Sequence, residues 1–340
     1  MRRGVLGALA MSTLLAVVVA RAACEPSGAA QLPAYPSAGL PPAGGSASLP
    51  PASRFAGQPP AGKPVEFVEV AIEHPVVAGD SLSSLGARYG IAYRLIAEAN
   101  GLAADAHLKT GERLFVRSRH LVPLGHDVSD GIVVNVPQRM AFLFEGGRLA
   151  GAWPVTVGRR NWQTPIGPFV VLNRQQDKTW YVPRSIQQEM RREGRPVLTQ
   201  VPPGPANPLG RHWIGLSLPG IGIHGTNAPA SIYGFRSHGC IRMHPDDVAE
   251  LFARVVTGAR GEILYRPLLL ARDAAGEIWF EANPDAYRRG GDRLAAVERM
   301  ADVQGIASAA IDWAQVARMI EQRDGQARPV GTVGYLQGAR

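Results

Sequence analysis

The 340-residue chain has two cysteines, and Cys240 lies in its densest patch of histidine. His224, His238 and His244 surround it in sequence, out of eight histidines in all. A thiol is a weak nucleophile until a base takes its proton, so a cysteine among imidazoles points to acyl transfer through a thioester. Gly222-Ile223-His224-Gly225 alternates small and apolar residues, as a strand delivering His224 at its end would. After a loop comes Ser237-His238-Gly239-Cys240, and His244-Pro245-Asp246-Asp247 then opens a helix. Proline suits the first helical position, and the two acids suit the positive end of the dipole. Cys240 is therefore expected on a short connection upstream of a helix N-terminus, where partial positive charge and an imidazole lower a thiol's pKa. Gly239 removes bulk beside backbone amides suited to holding an oxyanion. His244 reads as a helix cap.

The elements that must position these residues are mostly strands. Residues 131–136 and 139–144 form two, Gly146-Gly147 turns into a third over 148–157, and 167–172 continues the series after the Thr164-Pro165 bend. Short strands with tight turns predict a mostly β catalytic domain over 127–267. The order breaks down between 173 and 211, where a short helix is expected over 185–193; such an excursion inside a compact domain serves as a lid over a cleft. Trp213, just past it, is expected to pack. The tail over 268–340 reads as a strand pair around Ala275-Gly276 and two helices, 293–303 and 309–322, whose apolar faces are expected to pack on the catalytic domain. No chemistry is evident there.

Upstream, residues 70–118 run strand, helix, helix, strand. His74-Pro75-Val76-Val77-Ala78 is a short strand, Ser81 caps a helix with Leu82, Leu85 and Tyr89 on one face, and Gly90 ends it. A second helix spans 93–99, closed by Asn100-Gly101, and a strand returns at 113–116.

The formal charge is +8 and the isoelectric point near 9.9. Basic residues show no stripe interleaved with aromatics, so nucleic acid is not expected as a partner. Arg2 and Arg3, an apolar run from Val5 to Ala20 and the small-x-small Ala20-Arg21-Ala22 read as an export signal over 1–23. Residues 24–69, rich in Pro, Ala, Gly and Ser, read as a disordered tether. Cys24 follows Ala22-Ala23 and offers a bacterial lipidation site, although Arg21 stands where an aliphatic residue is expected; ordinary cleavage is favoured. A membrane enters only through such an anchor. A free thiol in an oxidising compartment itself suggests a chemical role. No cofactor is expected. Zinc held by His224, His238, Cys240 and His244 is the competing reading, and it lacks the usual paired short ligand intervals.

Two blocks carry resemblances. His224-Gly225 followed by Ser237-His238-Gly239-Cys240-Ile241-Arg242, with Thr164-Pro165-Ile166-Gly167-Pro168-Phe169 and Asn207-Pro208-Leu209-Gly210, resembles the signature of the L,D-transpeptidase (YkuD-type) family over about residues 131–267. Val77-Ala78-Gly79-Asp80-Ser81-Leu82, Ala99-Asn100-Gly101-Leu102 and Leu108-Lys109-Thr110-Gly111-Glu112-Arg113-Leu114 resemble a lysin-motif (LysM) module. The resemblance implies a mostly β catalytic domain, an L,D-transpeptidase-like β-sandwich, preceded by a small α+β (βααβ) LysM module and followed by a helical C-terminal tail. It implies that Cys240 is the nucleophile and His224 the proton acceptor and donor, with the Gly225 carbonyl orienting the imidazole. His238 and Gly239, beside Ser237, belong to the pocket and oxyanion region, and Arg242 steadies the loop or a substrate carboxylate. The implied partners are peptidoglycan stem peptides and glycan strands, with the glycan groove near Gly79, Asp80, Ser81, Asn100 and Gly101. The implied reaction is attack after the third residue of a tetrapeptide stem, release of D-alanine and transfer to an amine on another stem, a wall-attached lipoprotein or a D-amino acid. A hydrolase of the same family and a catalytically silent wall-binding protein are the alternatives.

Overall fold

Alternating charges and apolar residues build the first sheet. The computed structural model describes residues 66–123 and 125–333. Its strand β1 (Phe67–Pro75) pairs antiparallel, along its whole length, with β2 (Arg113–Leu121). Glu69 meets Arg117 and Arg119 across the ladder, and Glu73 meets Arg113. β2 outruns the expected 113–116, whereas β1 lies upstream of the expected 74–78 and shares only His74 and Pro75 with it. The charge ladder carries the pairing over residues 67–73, and Val76 to Ala78 lead into the turn; residues 67–69, placed in the tether by sequence, belong to β1. Between them lie α1 (Leu82–Tyr89) and α2 (Tyr93–Ala99). Ser81 caps α1 in a reciprocal box with Ser84. Gly90 closes it in the left-handed region at φ 65°. Val76, Leu82, Leu85, Ile91, Ile96 and Val116 form the module's core. The export segment, Cys24 and the tether up to residue 65 lie outside the described residues.

The central domain comprises β3 (Gly131–Asn135), β4 (Met140–Glu145), β5 (Arg148–Gly158), β6 (Gly167–Gln176), β7 (Trp180–Tyr181), α3 (Arg184–Arg192), β8 (Gln200–Val201), β9 (His212–Leu216), β10 (Gly222–His224), β11 (Phe235–Ser237), β12 (Ile241–Met243), α4 (Pro245–Arg254) and β13 (Arg260–Leu264). Strand pairing runs β11-β5-β12-β10-β9-β6-β13-β3-β4, and β4 pairs back onto β5, so the mostly β domain is one sheet closed on itself. Ile132, Val155, Val171, Ile214, Ile223, Ile241, Met243 and Ile263 fill its core, joined by Val248 and Leu251 of α4. The excursion between β6 and β9 holds the β7–β8 pair and α3. Asn207 ties its base: the side-chain amide donates to the carbonyls of Lys178 (2.9 Å), Val201 and Pro202 (each 3.2 Å), and its oxygen accepts from the Leu209 amide (2.9 Å).

The C-terminal region differs from the expected strand pair with helices leaning on the catalytic domain. Strands β14 (Leu268–Arg272), β15 (Glu277–Ala282) and β16 (Arg328–Thr332) form an antiparallel sheet of their own. Helices α5 (Arg293–Val303) and α6 (Trp313–Gln322) cover it, with Leu270, Phe280, Val297, Val316, Met319 and Val330 buried between them. Leu294 is left exposed, and the apolar surface under the helices comes from Leu268, Leu270, Ile278, Phe280 and Ala282 of β14 and β15, with Val330 alone from β16. Its sequence, with a proline and a glycine in five residues, carries almost no strand signal.

The three parts meet at one buried carboxylate. Glu281 of β15 is fully buried and accepts from the Leu121 amide (2.7 Å), from Gln138 Nε2 (3.0 and 3.1 Å) and from Asn283 Nδ2 (3.0 Å). His120 Nδ1 lies 3.2 Å from the same carboxylate, while its Nε2 donates to the Gly90 carbonyl at 2.7 Å.

Candidate active site

Strand register brings the chemistry together. β10 runs parallel to β12, with His224 opposite Arg242, and antiparallel to β9, with His224 opposite Trp213. His224 is therefore flanked on both sides, and Trp213 stacks on its ring at 5.7 Å and 22°. The imidazole is buried, with Nδ1 2.7 Å from the Gly225 carbonyl. A carbonyl only accepts, so Nδ1 carries the proton and Nε2 presents its lone pair. Burial, with the Arg242 charge adding to it, pushes the His224 pKa down to about 3. At neutral pH the ring is an uncharged base.

Cys240 immediately precedes β12 and is free and half-buried. Its thiol donates to the Gly220 carbonyl at 3.5 Å. Burial pushes the thiol pKa up, against the opposing pull of the Gly222 amide and the Arg242 charge. The depressed thiol pKa expected from the sequence is thus absent: β12 separates Cys240 from α4, and desolvation exceeds the favourable terms. Arg242 makes no ion pair among the described residues, and its Nε is buried without a hydrogen-bond partner. It is an uncompensated cation beside the sulfur.

Gly239 has φ 106°, a conformation open to glycine and strained for other residues, and a Cβ there would crowd Ile221. Ser237 Oγ accepts from the Gly239 amide (3.2 Å) and donates to the Cys240 carbonyl (2.5 Å), tying the turn together. No acceptor takes the Cys240 amide hydrogen among the described residues. His238, two residues before Cys240, is engaged by the excursion. Its Nε2 contacts Glu189 of α3 at 2.5 Å, Arg159 pairs with the same carboxylate, and Trp162 meets the ring edge-on at 5.0 Å. These two partners hold the Glu189 carboxyl below the usual range, His238 contributing most. The excursion is thereby pinned to the loop that carries Cys240. His244 caps α4, accepting weakly from the Asp246 amide at 3.4 Å. The four residues considered as zinc ligands therefore serve separate partners, and no group of three potential ligands converges among the described residues.

In the N-terminal module Asp80 accepts from Val77 N (2.9 Å) and meets His74 Nε2 (2.8 Å), and Ser81 is occupied in its cap. Asn100 spends its side chain on Ile96 O, Phe115 O and Phe115 N. Gly79 and Gly101 lie in turns with no atom near where a Cβ would go. Trp213, Arg159 and Glu189 were not identified as site residues from sequence. Each reaches the site through strand pairing or a long-range ion pair that local patterning does not encode.

A free cysteine and a buried histidine thus sit on neighbouring strands of one closed β sheet, His224 at the end of β10 and Cys240 just before β12. The sequence matches the L,D-transpeptidase catalytic domain over residues 129–263 and the LysM domain over 74–117. It is 33% identical over 223 residues to the probable L,D-transpeptidase ErfK/SrfK of Salmonella typhimurium, spanning 64% of this chain and 71% of that one. It is 31% identical to the putative L,D-transpeptidase YkuD of Bacillus subtilis, over 56% of this chain and 96% of that protein. Among solved structures, the NMR structure of the catalytic domain of an E. faecium L,D-transpeptidase matches 41% of this chain and 100% of its own, at 22% identity and a TM-score of 0.32. The chain belongs to the L,D-transpeptidase family, with a LysM domain ahead of the catalytic domain.

Proposed function

We propose that this enzyme rebuilds peptidoglycan through Cys240. The donor is a tetrapeptide stem, and the sulfur attacks the carbonyl of its third residue as the thiol proton passes to His224 Nε2. The oxyanion is held by the unengaged Cys240 amide. Collapse breaks the bond to D-alanine, which leaves with the proton from His224, and a thioester remains. An amine on another stem, on a wall-attached lipoprotein or on a D-amino acid then attacks; its proton goes to His224, and the thiol is restored. Because thiol and imidazole are both neutral at rest, proton transfer accompanies attack and no thiolate–imidazolium pair is stored. Arg242, lacking a protein counter-ion, suits a substrate carboxylate. The LysM domain holds glycan near the Gly79–Ser81 and Asn100–Gly101 turns, chiefly through backbone since the side chains are already engaged. The enzyme acts in the cell envelope after export; no helix among the described residues is long and apolar enough to cross a membrane.

The His224 ring carries this reading: Nδ1 is committed to the Gly225 carbonyl, the Leu209 carbonyl also acts on the ring, and the nitrogen assigned to take the proton is Nε2. Purified protein incubated with disaccharide-tetrapeptide is expected to release D-alanine and to show a stem-bound mass adduct, both lost in Cys240→Ala. Unchanged substrate together with glycan retention on a pulldown would instead identify a silent binding protein.

A further inference from the structure

The geometry points to Tyr287, outside the matched catalytic segment, as a positioning residue that aims the Cys240 amide through Thr164; the inference rests on the acyl-transfer reading above. Four contacts make the chain. The Thr164 amide donates to the Tyr287 hydroxyl at 2.9 Å, and that hydroxyl donates to the Gly158 carbonyl at 2.8 Å. Thr164 is fully buried; its own hydroxyl accepts from the Gly158 amide at 2.8 Å and donates to the Gly239 carbonyl at 2.8 Å. The peptide unit between Gly239 and Cys240 is planar and trans, so its carbonyl oxygen and amide hydrogen point in opposite directions. Fixing the Gly239 oxygen therefore fixes the direction of the Cys240 amide. That amide is the group left without an acceptor.

Tyr287 is itself held rigidly. Its amide donates to the Tyr265 hydroxyl at 2.8 Å, which donates to Asp285 at 2.5 Å, and the two tyrosine rings stack at 5.1 Å. Arg289 lies over both rings and donates to Gln163 Oε1 at 2.8 Å, beside Thr164. The connection from β15 to α5 thus braces the Gly158–Thr164 segment, which braces the nucleophile's turn. Glycine at 239 permits a conformation with φ 106° but does not enforce it. An external grip on its carbonyl is what selects one orientation.

The test compares two electrophiles on the full chain. A carbapenem acylates through a tetrahedral oxyanion, whereas iodoacetamide is attacked at a saturated carbon and forms none. Tyr287→Phe should slow carbapenem acylation, followed by intact mass, by about 10- to 100-fold. Its iodoacetamide rate should stay within about twofold of the unaltered enzyme. Thr164→Val should show the same split, Thr164→Ser should restore acylation, and the double variant should be no slower than the worse single one. With the stem donor, the loss should fall on kcat and leave KM unchanged. Carbapenem acylation of Tyr287→Phe at the unaltered rate, equal slowing of both electrophiles, or multiplicative losses in the double variant would each overturn the assignment. Enzyme that is acylated by carbapenem but releases no D-alanine would sink the peptidoglycan reading and leave the Tyr287 comparison readable.

Discussion

The buried carboxylate at the junction and the half-buried surroundings of Cys240 are both polar, and they are built in opposite ways. Glu281 draws donors from β2, from the turn after β3 and from Asn283 just past its own strand, and both its oxygens are engaged. Around Cys240, Arg242 has no counter-ion and the Cys240 amide no acceptor among the described residues, and His224 commits only Nδ1 to the Gly225 carbonyl. Satisfied groups hold structure; unsatisfied ones are available to a substrate. The carboxylate where the three parts meet is saturated with donors, whereas the groups around Cys240 keep valences open.

The sharpest way to break this contrast is at the base. His224→Gln should slow acylation by about 10²–10⁴-fold, measured as adduct formation by mass. It should also change the pH dependence of folding. The folded-state pKa of His224 is depressed from 6.5 to about 3, so between those values the unfolded chain binds the extra proton. Stability should fall as pH drops from 6.5 toward 3, and the variant should lose that part of the slope in denaturant titrations. At the junction, Glu281→Ala leaves several buried donors unpaired and should cost about 3–5 kcal/mol in unfolding free energy, with acylation per folded molecule preserved. Arg242→Gln should do the reverse. Removing an uncompensated cation should leave the denaturation midpoint unchanged or raised, while iodoacetamide alkylation at pH 8 slows by about tenfold as the thiol loses its nearest positive charge. His244→Ala sits at the small end: loss of a long cap hydrogen bond should cost about 0.5–1 kcal/mol and leave acylation near the starting rate. Equal rate losses for His224 and His244 would contradict the roles given to them.

Sequence revealed the parts of this site that are contiguous. Gly222 to Asp247 contains the strand end, the turn, the nucleophile and the proline-led helix, and α5 falls on the residues its apolar spacing indicated. What escaped it depends on pairing at a distance. Trp213 reaches His224 only because β9 and β10 run antiparallel in that register. Glu189 reads as one acid in a basic helix, and its burial against His238 appears only once the excursion folds back. The thiol's raised pKa was misjudged from the order of residues because desolvation depends on everything around the sulfur, and a motif shows only its neighbours along the chain. β16 was missed for the reason already given, a strand with proline and glycine in a short run.

The Leu121 amide, the last of β2, ends on an acid from the far end of the polypeptide. An enzyme trimmed to its catalytic segment would therefore lose that acid and leave the buried Gln138 amide without it, and Met140 and Pro154 would lose the helix end at Gly90 that packs on them. The LysM domain, the catalytic domain and the C-terminal sheet are thus welded at a single side chain, and a change at that one position would be felt in all three.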